Sequence, residues 1–353
     1  MAKEEIWVLY DGKAGHLSQS QGLAERLAQR TGAQVKTVEA YPKAGLLRLL
    51  AVWLCRLGVV WPRMFRRFYH CKLPSGKPQQ IISFGGKVVP LNVTLAALYG
   101  CDNILIGNRY RLPVTLFSVV VNARDERIPN QVVAQVPFSC ASKGHSAGER
   151  QCLTDLKRSS RPLWLLLLGG EGSGFSYTDQ DWQQLKAAMI RLAQQHGIRW
   201  LVSNSRRTPA AGTALLSDPE LQDYCQQRIS YQQGGPGLGP FLQAAERIFV
   251  TADSLSMVTE AIASSATAPV AGLVPEVVAG GESVHQRTLR HYQQRRWLEM
   301  VPIASLAEFQ PTHPEILATY HQVLDATVTE VIDGLTSVPE SIGATERYYP
   351  QSY

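Results

Sequence analysis

Short runs of apolar residues alternate along this chain with longer segments in which apolar residues recur every three or four positions. The short runs have the character of strands buried in a parallel sheet, and the longer segments have the period of amphipathic helices. The runs predict strands at residues 6–10, 35–39, 80–84, 103–106, 116–121, 131–136, 163–168, 198–203, 228–231, 248–250 and 269–273. The periodic segments predict helices after residues 18 and 254 and over residues 88–99, 182–196, 219–227, 241–245, 285–294 and 314–332.

This alternation predicts an α/β protein with two successive Rossmann-like domains that face a cleft. A chain of 353 residues is long enough for two domains, each with its own core. Residues 145–160 are polar and show little periodicity, so we place the boundary there. The first domain is predicted to cover residues 1–155, and the second begins at residue 156.

The stretch from Pro162 to Tyr177 combines a six-residue apolar run, a glycine loop and the start of a helix. Its loop contains Gly169, Gly170, Gly172, Ser173 and Gly174. In α/β proteins, a strand, glycine loop and helix in this order can hold a phosphate, because the backbone approaches closely and the helix N-terminus is electropositive. Neither a P-loop nor a dinucleotide fingerprint is present. A glycine-rich turn or an interdomain linker is the alternative interpretation.

Other polar or glycine-containing loops also follow predicted strands, at residues 11–16, 85–87, 205–207, 232–240 and 251–254. Ligands of open α/β sheets bind at the carboxyl ends of the strands, so these loops are expected to share an edge. Ser205, Arg206 and Arg207 offer a hydroxyl and two planar cations that suit a diphosphate, although a solvated turn is equally compatible.

Asp253, Ser254 and Glu260 each have a ligand-binding and a purely structural interpretation. Asp253 and Ser254 are suited to bind a ligand or to cap the helix that follows them. Glu260 lies about two turns into that helix among small and apolar residues, where a carboxylate needs a partner. That partner is either a ribose diol or an arginine of the protein.

Asp11 and His16 are the best candidates for a general base, since each lies in the loop after the first strand. A loop aspartate with purely structural bonds is the alternative. The helix after this loop is predicted to begin with Ser18 or Ser20 as its cap and to end near Gly32. The spacing of His, Cys and acidic residues predicts neither a covalent Ser-His-Asp mechanism nor a catalytic metal.

Net charge and cysteine spacing limit the classes of binding partner and the cellular compartment that we expect for this protein. A net charge of +6 and a pI of about 9.0 fit nucleotides, anionic membranes or nucleic acid. Nucleic acid is disfavoured, because no basic run is interleaved with aromatic residues. Six cysteines without a CxxC or metal spacing indicate a reducing compartment, and the acidic start of the chain does not resemble a signal peptide. We therefore expect a cytoplasmic protein.

Residues 44–69 are both strongly apolar and rich in arginine. The apolar part is too short and too charged to span a bilayer, and Pro62 is expected to break its helix. Arg48, Arg56, Arg63 and Arg66 fall within about one quadrant of a helical wheel. The segment therefore fits either a helix that lies in a membrane interface or a core helix with a wet arginine side.

Four motifs resemble those of the mitochondrial-fission Elm-type family: DGKAGHLSQSQGLAERL, SFGGK, VSNSRRTP and GPGLGPFLQAAERIFVTADSLSMVTEA. Bacterial members of that family are described as candidate glycosyltransferases of the GT-B fold. The resemblance implies two Rossmann-like domains, with a C-terminal helix and tail (residues 311–353) that return to the N-terminal domain and a second domain ending at residue 310. It also implies a nucleotide-sugar donor as co-substrate, with no bound cofactor and no metal.

The resemblance further implies roles for the loops. The donor side would consist of Gly169, Gly170, Gly172, Ser173, Gly174, Ser205, Arg206, Arg207, Asp253, Ser254, Ser256, Met257 and Glu260. The acceptor side would consist of the candidate catalytic residues Asp11 and His16 with Gly12, Lys13, Gly15, Gly85, Gly86 and Lys87. Segment 44–69 would face an anionic membrane.

The leading expectation is therefore a metal-independent glycosyltransferase. It would move a sugar from a nucleotide sugar to a cell-envelope glycan or a lipid-linked, lipopolysaccharide-type acceptor at the inner face of the cytoplasmic membrane. A nucleotide-sugar epimerase on the same scaffold and a non-catalytic protein that recruits a membrane or a partner are the alternatives.

Overall fold

A computed structural model of the chain describes residues 4–61, 64–138, 146–232, 237–264, 268–278, 283–311 and 319–336. The chain forms two compact units, one from residues 1–140 with 321–353 and the other from residues 141–320. These units break after residues 140 and 320, whereas the sequence pattern predicted a break after residue 155 and the family resemblance implied one after residue 310.

The first unit contains a seven-stranded sheet in the order β3-β2-β1-β4-β5-β6-β7. Every neighbouring pair is parallel except β2 and β3, which are antiparallel. The strands are β1 (Glu5–Tyr10), β2 (Gln34–Pro42), β3 (Tyr69–Cys71), β4 (Gln80–Phe84), β5 (Asp102–Ile106), β6 (Val119–Asn122) and β7 (Gln131–Val133). The short edge strand β3 was not predicted.

The second unit contains a fully parallel six-stranded sheet in the order β10-β9-β8-β11-β12-β13. Its central strand β8 is the apolar run of the sequence analysis, and all six of its residues are buried. The strands are β8 (Leu163–Leu168), β9 (Arg199–Asn204), β10 (Cys225–Ile229), β11 (Arg247–Thr251), β12 (Val270–Val274) and β13 (Glu299–Pro302).

Helices connect most of the parallel strands in both units, whereas β5 to β6 and β6 to β7 are joined without an α-helix. In the first unit they are α1 (Ala14–Thr31), α2 (Gly45–Arg56), α3 (Met64–Phe68) and α4 (Val89–Tyr99). The second unit contains α5 (Ala147–Lys157), α6 (Asp179–His196), α7 (Ala210–Ala214), α8 (Gly239–Ala244), α9 (Leu255–Ser264) and α10 (Val284–Gln294), and α11 (Tyr320–Thr336) follows it. Short 3-10 turns cover Gly86–Val88, Val114–Leu116, Gln222–Tyr224 and Ile303–Glu308.

Helix α11 returns to the first unit from His321 onward. Leu324, Val328 and Val331 are fully buried on its inner side. On the outer side, Arg26 of α1 donates a 2.8 Å hydrogen bond to Asp325, and Arg30 donates one of 2.7 Å to Thr329. The chain therefore completes its first unit with its last described helix, as expected.

The strand orders place a topological switch point in each sheet. In the first sheet the chain turns from β1 towards β2 and later resumes on the other side of β1 with β4. The second sheet repeats this arrangement with β8 between β9 and β11. The loops after adjacent strands diverge at such a point and leave a crevice at the carboxyl edge, where ligands of open sheets bind.

Several local predictions were wrong. Helix α1 begins at Ala14, so Ser18 and Ser20 lie inside it and do not cap it. Residues 147–157 form α5, which begins with a capping box of Ser146 and Glu149. Within residues 219–227 only a 3-10 turn forms, because Cys225 already starts the edge strand β10.

Segment 44–69 divides into α2 and α3, while Pro62 and Arg63 lie outside the described residues. In the described part of the chain, every helix is too short or too polar to cross a membrane.

Candidate active site

The first cluster lies at the switch point between β1 and β4. His16, in the first turn of α1, places Nδ1 3.0 Å from Asp11 Oδ2 and 3.1 Å from Oδ1. Asp11 directly follows β1 and its side chain is almost completely buried, while that of His16 is 23% exposed. A buried carboxylate against Nδ1 fixes the imidazole and leaves Nε2 as the nitrogen that can exchange a proton.

Local backbone geometry explains this pairing. The Lys13 N–H donates to Asp11 Oδ1 at 3.2 Å, so the aspartate also binds the backbone just before α1. Because this bond forms at the first strand end, the helix begins four residues before the predicted serine cap. His16 thereby moves from the predicted loop into the first helical turn, beside Gly15.

The loop after β4 closes the other side of the pair. The ring of Phe84 stacks on His16 with 4.6 Å between centroids. Gly86 has φ +78°, and a Cβ there would lie 2.7 Å from Asp11 Oδ2. Glycine is required at this position because a side chain would displace the carboxylate. Gly85 and Lys87 flank it, and the Lys87 carbonyl accepts a 3.0 Å bond from Tyr69.

Gly12 completes this side of the first sheet. It has φ +89°, and Tyr41 Cε1 would lie 3.1 Å from a Cβ at this position. The structure thus brings together both predicted loops, 11–16 and 85–87, around Asp11 and His16.

The second cluster lies at the switch point between β8 and β11. Gly169 N–H donates to Thr251 Oγ1 at 2.6 Å, and Gly170 N–H donates to Asp253 Oδ2 at 2.9 Å. Gly172 N–H is bonded to the Phe175 carbonyl at 3.1 Å. These three amides are therefore engaged by protein acceptors, and the glycines here serve close packing between β8 and β11.

Ser173 and Gly174 form the tip of that loop. Both have positive φ, 56° and 89°, between the paired residues Gly172 and Phe175. This geometry is that of a tight type I′ turn. The glycine-rich loop is therefore a short hairpin packed on β11.

Asp253 is the buried centre of the second cluster. Its Oδ2 lies 3.5 Å from Arg207 Nη2 in addition to the Gly170 bond. Within the described chain, its buried Oδ1 has no hydrogen-bond partner. Burial raises the pKa of this carboxyl above its ordinary value, and the Gly170 N–H and Arg207 act against that shift. One predicted role of Asp253 was to cap α9. Its side chain instead binds Gly170 and Arg207 and so anchors the glycine loop after β8.

The turn after β9 contributes the cations. Thr208 Oγ1 donates to the Leu168 carbonyl at 2.7 Å and accepts the Ser205 N–H at 2.9 Å. Ser205 Oγ in turn accepts the Arg207 N–H at 3.2 Å. The guanidinium of Arg207 is about half exposed, and Arg206 is exposed. A fixed backbone therefore presents two arginines at the edge of the sheet.

Residues 252–254 join β11 to α9, and Ser254 and the first turns of α9 carry the remaining predicted donor residues. Ser254 is buried and Ser256 is exposed, with 3.4 Å between their hydroxyl oxygens, and Met257 is half-buried. Burial raises the pKa of the Glu260 carboxyl, which is half-buried. Among the described residues, no donor and no arginine is paired with this carboxylate, so the predicted arginine partner is not found there.

Sequence reasoning missed two residues that shape this cluster. Tyr177 accepts the Ala252 N–H at 2.8 Å and donates to the Leu273 carbonyl at 2.8 Å, tying β11 to β12. His285 Nε2 lies 2.7 Å from the Ala252 carbonyl, and burial lowers the pKa of its imidazole. A buried tyrosine and histidine near the loops are visible in the sequence, but their partners are 33 to 96 residues away.

Among the described residues, no three His, Cys, Asp or Glu side chains are grouped so that they could hold a metal ion.

A family model described as mitochondrial fission ELM1 matches residues 14–316, and the chain therefore belongs to this family. The resemblance predicted from the four motifs is confirmed. No curated protein matches the sequence closely enough to be reported.

Solved structures show the fold. A glycosyl transferase of family 9 from Veillonella parvula is similar over 94% of this chain and 97% of its own, with a TM-score of 0.50 and 10% identity. The structure of TcCGT1 in complex with UDP is similar over 95% and 94%, with a TM-score of 0.50 and 11% identity. At this identity the likeness shows the fold alone, and it confirms the predicted GT-B architecture of two Rossmann-like domains.

Proposed function

We propose that this protein is a glycosyltransferase that moves a sugar from a nucleotide-sugar donor to an acceptor hydroxyl. The observation that carries the proposal is the Asp11–His16 pair, 3.0 Å apart at the switch point of a GT-B fold. Sugar transfer requires a base for the acceptor hydroxyl and cations for the departing diphosphate. The two clusters supply one of these requirements each.

The first cluster is assigned to the acceptor. His16 Nε2 would take the proton of the acceptor hydroxyl while its oxygen forms a bond to the anomeric carbon of the sugar. Asp11, hydrogen-bonded to Nδ1, would hold the ring in place and stabilise the imidazolium that forms. Gly12, Lys13 and Gly15 together with the 85–87 loop would border the acceptor hydroxyl.

The second cluster is assigned to the donor. As the bond from the anomeric carbon to the diphosphate breaks, the leaving oxygens gain negative charge, and Arg206 and Arg207 would stabilise it. Ser254, just before α9, and Ser256 and Met257 in its first turn would add hydrogen-bond donors. Because the amides of Gly169, Gly170 and Gly172 are already bonded, we assign those glycines to shaping the loop rather than to phosphate contact.

Glu260 is proposed to accept hydrogen bonds from the donor ribose. A half-buried carboxylate without a described donor is costly unless a ligand supplies the hydrogen bonds. Two vicinal hydroxyls match its two oxygens. This pairing would bind the nucleoside independently of the sugar.

We extend the proposal to the acceptor and the location. A cell-envelope glycan or a lipid-linked, lipopolysaccharide-type acceptor at the inner face of the cytoplasmic membrane fits the apolar, arginine-rich segment 44–69. With Arg206 and Arg207 in this role, the transfer would need no metal ion, which the family resemblance also implies.

A transfer assay tests the proposal. Cell-envelope fractions would be incubated with radiolabelled nucleotide sugars and either wild type, His16→Ala or the control His70→Ala, an exposed histidine of the same unit. Removal of a general base is expected to lower the rate by about 100-fold or more, whereas the control should keep the wild-type rate. Equal transfer by His16→Ala and wild type would show that His16 is not the base.

A further inference from the structure

Helix α2 buries one side and exposes another, and both sides are apolar. Ala51 and Cys55 are buried, and Leu47, Val52 and Leu54 pack on the core of the first unit. The opposite side consists of Leu46, Leu49, Leu50, Trp53 and Leu57, spaced as one helical stripe and continued by Trp61. We call these six residues the apolar ridge.

The exposure of the ridge is large. Leu46 is 78% exposed, Leu49 56% and Trp53 55%. Eight of the fourteen exposed large apolar residues of the described chain lie between residues 41 and 61. Single exposed apolar residues need no explanation, but a contiguous patch indicates an interaction surface. One of the two alternatives of the sequence analysis was a core helix with arginines on its wet side. The structure exposes Arg56 but fills most of that side with leucine and tryptophan.

The charge around the ridge identifies the partner. From Ala40 to Cys101 the sequence contains nine lysines and arginines and no acidic residue. Since the whole chain carries +6, the rest of the protein is net negative by three charges. Lys43, Arg66 and Arg67 are exposed beside α2 and α3. An apolar stripe within a stretch of chain whose charged residues are all cations is complementary to hydrocarbon beneath an anionic surface.

We propose that the apolar ridge inserts into an anionic lipid bilayer, with the neighbouring lysines and arginines against its headgroups. A symmetric pair of chains is disfavoured, because it would bring two such cationic surfaces together. Trp53 and Trp61 also suit the headgroup level, where indole rings place an apolar body in the membrane and a polar N–H at its edge.

The ridge lies close in the chain to the Asp11–His16 cluster. Strand β2 leads through Tyr41 to α2, and Tyr41 Cε1 would lie 3.1 Å from a Cβ at Gly12, next to Asp11. The start of α2 and the Asp11–His16 cluster therefore both lie at the carboxyl edge of the first sheet. If His16 accepts a proton from the acceptor, which rests on the proposed function, the acceptor is an amphiphile held in the same membrane.

Vesicle flotation tests the ridge without any enzyme assay. The full-length protein would be mixed with phosphatidylcholine vesicles or with vesicles that also contain about 30% phosphatidylglycerol, a lipid whose anionic headgroup attracts cations. The ridge variant is Leu49→Glu/Trp53→Glu, and its matched control is Val284→Glu, an exposed valine of the second unit. The charge variant is Arg67→Glu/Lys72→Glu, and its control is Lys157→Glu/Arg191→Glu, all four exposed.

The wild type is expected to float with the anionic vesicles, less so as salt rises, and the ridge and charge variants should each lose binding by about tenfold or more. Both controls should float as wild type does. The proposal is overturned if the wild type does not float, or if the ridge variant floats as well as the wild type. It is also overturned if the wild type leaves vesicles unbound and forms a dimer that the ridge substitutions convert to monomers. Nucleotide binding by the ridge variant is measured in parallel. A variant that binds nucleotide but not vesicles has lost the membrane surface alone, and the proposed function is unaffected.

Discussion

Gly170 shows how tightly the second cluster is packed at the scale of single residues. The space beside its Cα is filled by the backbone carbonyl of Arg207, and the neighbouring Gly169 faces the carboxylate of Asp253. Backbone atoms cannot move aside as a flexible side chain can, so any Cβ at Gly170 must displace the turn that carries Arg206 and Arg207.

Gly170→Ala is therefore expected to destabilise the second unit by about 1–3 kcal/mol or more and to weaken nucleotide binding. Gly148→Ala is the matched control, because among the described residues no atom from outside the local helix backbone lies within 4 Å of the added methyl group in α5. Denaturant unfolding of both variants checks this prediction. A Gly170→Ala protein as stable as Gly148→Ala would show that the loops are not packed as described.

Glu260 predicts a pH dependence of stability. Burial raises the pKa of this carboxyl in the folded state, so the ionised form opposes folding. Stability contributed by the neutral acid is present at low pH and is lost as pH rises through the raised pKa. Glu260→Gln, which stays neutral, should unfold at a higher temperature than wild type near pH 7, and the gap should close towards about pH 4.

Thermal unfolding of both proteins between about pH 4 and pH 8 measures that gap. The expected sign is opposite to that of a carboxylate held in an ion pair, for which removal of the charge destabilises at neutral pH. A Glu260→Gln protein less stable than wild type at pH 7 would mean that a donor pairs with the carboxylate.

At the scale of elements, α11 completes the first unit by apolar burial rather than by its ion pair. Leu324 is fully buried, whereas the adjacent Asp325 is 53% exposed in its bond to Arg26. Truncation of a buried leucine leaves a cavity, and an exposed pair contributes little.

Leu324→Ala should therefore cost about 2–5 kcal/mol of unfolding free energy, and Asp325→Ala no more than about 1 kcal/mol. Urea titration of the two variants compares them directly. Comparable losses would assign α11 to electrostatic docking instead.

The observed bounds of β8, α5 and α1 show which secondary-structure elements could be predicted from the sequence. Strand β8 was predicted to the residue because a run buried on both faces is apolar at every position. Helix α5 was missed because only Leu156 is fully buried in it, so its helical period is weak. The start of α1 was misplaced because Asp11 binds Lys13 N–H from outside the helix, which a search for serine caps does not detect.

At the scale of the whole molecule, alternating strands and helices were sufficient to predict two parallel-sheet domains with candidate loops at their carboxyl edges. The strand orders could not be read from the sequence, since they depend on pairings such as β1 with β4, some 70 residues apart. For the same reason, the capture of the Gly169 and Gly170 amides by Thr251 and Asp253 became visible only in the folded chain.

The proposed function requires a nucleotide to bind at the switch point of β8 and β11. Its most direct test is thermal unfolding of wild type, Arg206→Ala and the control Arg191→Ala with UDP, GDP, CMP and their sugar conjugates. Both arginines are exposed in the second unit, so neither change should alter folding. One nucleotide at about 100 times its dissociation constant should add about 2.7 kcal/mol to wild type and to Arg191→Ala. Arg206→Ala should gain clearly less. If no nucleotide stabilises wild type, or if Arg206→Ala is stabilised equally, the proposed donor site is wrong.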